Sequence, residues 1–244
     1  MIPSLKRASA QFARTPFIFV WSSVMYVVLQ LLFALAAVGI FLIYFLIASV
    51  LGLPTTVNSP PAVIAAVATL LLLLFFSCGL NAGLLRSYAA ALEGRKTTVA
   101  EFLRYSLKKA APMFAVMLMR DLVLAVIVGP VVLLYVSSLS GAAYMDVLVG
   151  AYALCATFLI HFLFTPAFVS IGAFGTEFVS SLRIGIGFLR RKHVNALGLY
   201  AVFALAWLLN LVPIVQIITI LVVYPVVYSA FVVMFQGSGS GRSR

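Results

Sequence analysis

The chain has 244 residues, of which 65% are hydrophobic and 9% charged, and its mean hydropathy is +1.22. Water-soluble domains are roughly 45–50% apolar and about 25% charged, so a soluble globular domain is excluded. Sixteen Lys and Arg against five Asp and Glu leave a net charge of +11; such a charge suits either a nucleic-acid surface or an anionic membrane face, and its distribution decides between them.

Apolar runs longer than 18 residues recur along the chain, which reads as helices that cross a bilayer. A transmembrane barrel would instead show alternating segments of about 10 residues. The expected fold is therefore all-α: a polytopic integral membrane protein with six transmembrane helices and basic amphipathic interfacial helices on the cytoplasmic side. It forms one domain over residues 1–236, followed by a flexible, linker-like tail, "GSGSGRSR", at 237–244.

In chain order, "SLKRASAQFARTP" (4–16) puts Leu5, Ala8 and Phe12 on one helical face and Arg7, Gln11 and Arg14 on another. The first span is predicted over Phe17–Leu53. It is too long for a signal-peptide core and no A-x-A site follows it, so it is read as retained. The turn "LGLPTTVNSPP" ends it. The second span, Ala62–Leu92, contains Asn81 in "SCGLNAG", where Gly79 and Gly83 have the G-x-x-x-G spacing of close helix pairs.

Next comes "TTVAEFLRYSLKKAAPM" (97–113). Thr98 and Glu101 form a T-x-x-E capping box that starts a helix. Its apolar face carries Val99, Phe102, Leu103, Ser106, Leu107 and Ala110; Glu101, Arg104, Tyr105, Lys108 and Lys109 lie opposite. Such a helix is expected to rest in the interface, its cations toward anionic headgroups. The third span follows at Ala115–Val136 and the fourth at Val147–Phe174. A further basic helix, "TEFVSSLRIGIGFLRRKH" (176–193), ends in Arg190, Arg191, Lys192 and His193. The fifth span is predicted over Ala196–Leu211, and the sixth over Pro213–Phe235 with a kink or break at Pro225.

Under this six-span arrangement every Lys and Arg falls on one side, and the positive-inside rule makes that side cytoplasmic, with both termini inside. Anionic lipid is then the expected partner of Arg104, Lys108, Lys109, Arg190, Arg191 and Lys192. Nucleic acid is excluded, because no stacking aromatics are interleaved with the bases. The pattern of basic helix, span, external turn and span occurs three times, over 1–95, 96–174 and 175–236, which suggests a threefold hairpin unit.

The six spans, the charged helices beside them and the last hairpin, "VPIVQIITILVVYPVVYSAFVVMF", resemble a broad group of uncharacterised prokaryotic six-helix membrane proteins. The group is similar to the membrane domain of glycerophosphodiester phosphodiesterases. The resemblance is one of pattern. It implies architecture and a prokaryotic cell membrane, and carries over no catalytic residue.

Polar groups inside spans are costly and therefore point to function. Asn81, Arg120, Asp121, His161 and Asn210 form the candidate intramembrane site. Arg120 and Asp121 are neighbours in sequence, and each is expected to seek a partner on another helix or to snorkel to the interface. His161 can relay a proton or hydrogen-bond between helices, and Gln30, Asn81, Asn210 and Gln216 are expected to bond across helices. Cys78 and Cys155 are expected to be buried, reduced thiols. No catalytic motif, metal-ligand spacing or cofactor fingerprint is present. Two functions remain: a small transporter or permease-like protein, or a non-catalytic membrane organiser that binds lipid or a partner through its basic helices. Either leaves room for a homo-oligomer or an unknown membrane partner.

Overall fold

The computed structural model describes residues 3–52, 59–139, 143–209 and 218–237. These residues are almost entirely helical and include no strand. The helices are α1 (Pro3–Arg14), α2 (Pro16–Val50), α3 (Pro60–Leu92), α4 (Val99–Leu134), α5 (Ala143–Phe174), α6 (Phe178–Leu209) and α7 (Tyr224–Gln236). Wide π turns extend the end of α4 (Tyr135–Leu139) and precede α7 (Thr219–Val223).

Among the described residues, five helical stretches are long and apolar enough to cross a bilayer: Pro16–Val50, Pro60–Leu92, Val99–Ser137, Tyr144–Phe174 and Thr219–Gln236. Their outer faces carry Leu31, Leu35, Leu46, Leu122, Leu133 and Val147, each more than half exposed. Water would not tolerate so continuous an apolar surface; hydrocarbon does. The protein resides in a membrane. The predicted fifth span lies in the second half of α6, and its end at Asn210–Leu211 falls outside the described residues, as does Pro213.

Two basic segments differ from their expected form. The segment 97–113 is not separate from the third span but is the first part of a single helix, α4, which runs on through Pro112 and Pro130. The capping box forms as the sequence indicates, with the Thr98 N–H donating to Glu101 Oε2 at 2.9 Å and the Glu101 N–H to Thr98 Oγ1 at 3.3 Å. Likewise 176–193 continues into α6, with a break in helical geometry at Lys192 (φ −131°, ψ 21°).

The helices pack around a central group of three. α3, α5 and α7 touch one another in the middle. Each also packs on the start of the next hairpin: α3 on α4, α5 on α6, and α7 on α1. Small residues allow these close approaches. A Cβ at Gly79 would sit 2.7 Å from the Ser106 carbonyl oxygen, and one at Gly83 would collide with Ser106 Oγ. At Gly172 it would come within 2.6 Å of Leu85 Cβ. Phe102, Ser106 and Ala110 are thus buried on α3 instead of lying on lipid, because the two α3 glycines offer a groove that they fill.

One end of the bundle gathers the basic segments. Ala8 and Leu5 of α1 share a cluster with Ala89 of α3, Phe188 of α6 and Phe231 and Phe235 of α7. At this end α5 stops at Gly175, whose φ of +73° suits glycine. Carbonyls of its last turn also accept from neighbouring helices, the Ile171 carbonyl in addition to its bond from the Gly175 N–H at 2.9 Å. Tyr105 donates to Ile171 O at 3.1 Å and Arg86 to Ala173 O at 3.0 Å. Lys109 Nζ pairs with Glu177 Oε1 at 2.7 Å. Lys109 is 5% exposed, so it does not reach headgroups as expected; the carboxylate beyond Gly175 draws it inward.

Gly79→Ala is expected to destabilise the protein by about 1–3 kcal/mol through overpacking against backbone. Gly39→Ala, where nothing lies within 4 Å of the new Cβ, should cost nothing comparable. Thermal unfolding in detergent separates the two. The same measurement tests the ion pair. Glu177→Gln strands a buried ammonium, whereas Lys109→Met leaves a carboxylate that is already 75% exposed. The Glu177 change should therefore be the worse of the two, by about 1–3 kcal/mol. That is less than for a fully buried pair, because Glu177 reaches solvent.

Candidate functional site

A cavity of about 200 Å³ lies between α3, α4, α5, α6 and α7. This is smaller than the roughly 300–1,000 Å³ of pockets for drug-sized ligands. The stripes that line it follow helical spacing. Cys78 and Asn81 come from α3, Met113, Met117 and Arg120 from α4, and His161, Thr165 and Phe168 from α5. Tyr200 and Phe203 of α6 and Tyr228 and Phe231 of α7 complete the wall.

Three of the five residues expected to form an intramembrane site therefore converge: Asn81, Arg120 and His161. Asp121 joins them through Arg120. Contrary to expectation these neighbours pair with each other, with Arg120 Nε and Nη2 both 2.7 Å from Asp121 Oδ1. The physical reason is the shortage of other acids. Glu93 pairs with Arg95, Glu101 caps α4, Asp146 accepts from Tyr135, and Glu177 holds Lys109. A long arginine side chain that finds no carboxylate elsewhere folds back onto the adjacent one. Its guanidinium also lies 5.6 Å from the centre of the Phe168 ring, a cation–π contact. Asn210 lies outside the described residues, as does Gln216.

Asn81 Nδ2 donates to the Ser77 carbonyl at 2.9 Å, and its side chain also bonds the Tyr26 hydroxyl of α2. Gln30 bonds across helices as expected, donating to Ser77 Oγ at 2.6 Å. The His161 carbonyl accepts from Thr165 Oγ1 at 2.7 Å, while its ring lines the cavity and bonds no other helix among the described residues. Cys78 is buried, with Sγ 3.3 Å from Met117 Sδ, whereas Cys155 faces outward; both are free thiols. Among the described residues, no three side chains drawn from His, Cys, Asp and Glu come together as a metal site.

Sequence reasoning missed Cys78, Met113, Met117, Tyr200 and Tyr228 as wall residues. A signal was available for the first three: each lies three or four positions from another wall residue, Cys78 from Asn81, Met113 from Met117, and Met117 from Arg120. The two tyrosines carry the same spacing, Tyr200 three positions from Phe203 and Tyr228 three from Phe231, but each lies beyond an irregularity, the kink at Lys192 or the wide turn before α7.

A second polar region lies at the basic end. Arg104, Lys108, Arg190 and Arg191 are exposed there, and Lys192 is half-buried at the kink. Lys96 lies 4.4 Å from the centre of the Trp21 ring, whose indole N–H donates to Thr97 O at 3.2 Å; this fixes the turn between α3 and α4 against α2.

Comparison of the chain with protein-family models, with curated proteins and with solved structures finds no match.

Proposed function

We propose that the protein is a six-span carrier of a prokaryotic cytoplasmic membrane that binds a small solute in its central cavity and passes it across. The convergence of Asn81, Arg120 and His161 from three different helices on one open volume carries this reading. Polar groups placed only for helix packing would be satisfied singly and scattered. Here the cation, the imidazole and the amide share a space bounded by aromatic rings, as solute sites within helical bundles do. On this reading the second half of α6 belongs to the remaining span, and the positive-inside rule applied to the gathered bases favours both termini inside. On this view the segments before Pro112 and before the Lys192 kink lie along the inner headgroup layer. The architecture is then that of the six-helix group the sequence resembles.

A carrier must expose its site to water in some state, whereas a packed core never does. Cys78 reports this directly, because only a thiolate reacts and thiols in hydrocarbon stay protonated. In a Cys155→Ser background, Cys78 is expected to react with a water-soluble methanethiosulfonate faster than a cysteine placed at the lipid-facing position Leu35. A Cys78 no more reactive than that control would overturn the carrier reading.

The exposed cations Arg104, Lys108, Arg190 and Arg191 favour a second reading, in which the protein organises anionic lipid. Each such cation contributes about 1 kcal/mol at an anionic surface. Phosphatidylglycerol added to the detergent-purified protein should raise its unfolding temperature, and replacing these four residues by Glu should abolish the rise. An equal rise in both proteins would exclude this lipid role.

A further inference from the structure

We propose that the cavity binds a soft monovalent metal ion, Cu(I), through the sulfurs of Cys78, Met113 and Met117, with His161 supplying a nitrogen. This rests on the reading of the cavity as a solute site and names the solute. Cys78 Sγ and Met117 Sδ already meet at 3.3 Å across the α3–α4 interface. Two donors that each bind a metal at about 2.3 Å, the length of a zinc–thiolate bond, can share one ion at such a separation. Met113 lies one turn before Met117 on the same face of α4 and belongs to the same buried cluster as Cys78. All three sulfurs belong to residues that border the open volume, as does His161.

The donor chemistry selects the ion. Thiolate and thioether ligands favour Cu(I), and imidazole accepts it, whereas Mg²⁺ and Ca²⁺ need carboxylate or carbonyl oxygens. No carboxylate is among the residues lining the cavity. Charge balance points the same way. As the S–Cu bond forms, the Cys78 thiol gives up its proton to solvent and copper stays in the +1 state. One positive charge enters and one leaves, so the charge of the cavity does not change. Arg120 is already offset by Asp121. A divalent ion would leave an uncompensated charge in hydrocarbon, which is costly. Buried methionines commonly fill gaps in cores. Here Met113 and Met117 stand beside a space instead of closing it.

The test is Cu(I) binding to the full-length, detergent-purified protein under reducing conditions, in competition with bicinchoninate. One Cu(I) per chain is expected, unchanged in Cys155→Ser. Losing a supporting residue around a metal typically costs about 10–100-fold in affinity, and losing a ligand should cost at least as much. Cys78→Ser and Met117→Leu should therefore each weaken binding about tenfold or more. X-ray absorption of the loaded protein should show sulfur neighbours. Met117→Leu keeps the side chain's volume, so it remains informative if Cys78→Ser does not fold. Failure of the unmodified protein to compete for Cu(I), or unchanged affinity in Met117→Leu, overturns the inference. Reaction of Cys78 with the thiosulfonate needs no copper, so a protein whose Cys78 meets water yet ignores Cu(I) loses the ion assignment and keeps the carrier reading.

Discussion

The bundle depends on how the end of α5 is satisfied. A helix leaves its last four carbonyls without partners, and in a membrane protein these must be met by protein groups or reach the interface. Arg86 from α3 reaches across to one of them, at Ala173, and Tyr105 from α4 adds a second bond to Ile171 O, which already accepts from the Gly175 N–H. Gly175 turns the chain so that Glu177 meets Lys109. One helix end thus joins three helices and the start of a fourth through directional bonds, in a medium where helix association has no hydrophobic driving force of its own. The contacts of α3 and α5 elsewhere in the bundle, including the fit of Gly172 on Leu85, follow from this alignment.

The cavity is a product of the same arrangement. Glycines draw α3 against α4 at the level of Ser106 and α5 against α3 at Leu85, and the larger residues beyond them hold the helices apart. The open volume lies beside the same stretch of α3, along Cys78, Asn81, Leu84 and Leu85. Arg120 and His161 border it without having to fill it. Polar groups that could not be buried singly in hydrocarbon share one space, and the aromatic rings of Phe168, Phe203 and Phe231 close its sides.

Much of this was legible in the sequence. The helical class, the capping box at Thr98, the close approach at Gly79 and Gly83, and the interest of Asn81, Arg120 and His161 all follow from composition, spacing and the cost of polarity in lipid. What escaped was set by partners distant in sequence. Lys109 sits on the polar face of its helix by periodicity, yet a carboxylate 68 residues later turns it inward. The Arg120–Asp121 pair defies the rule for helix neighbours because the remaining acids are engaged elsewhere. The basic segment 97–113 and the span from Ala115 read as separate elements, whereas one helix runs through both and through Pro112.

The wide turn at Thr219–Val223 has a consequence for how the last helix is read. An α-helix advances about 100° per residue, and a π turn holds one residue more than an α turn needs. Pro225, which lacks an N–H, lies just beyond it, at the start of α7. A single helical wheel drawn from Ile218 through α7 therefore places Ile218 about 100° out of phase with the residues of α7. Tyr228 reaches the cavity, and Val227 and Phe231 the core, only when the count restarts at Tyr224. A helical wheel for this last segment is drawn from Tyr224 onward, with the turn before it counted separately.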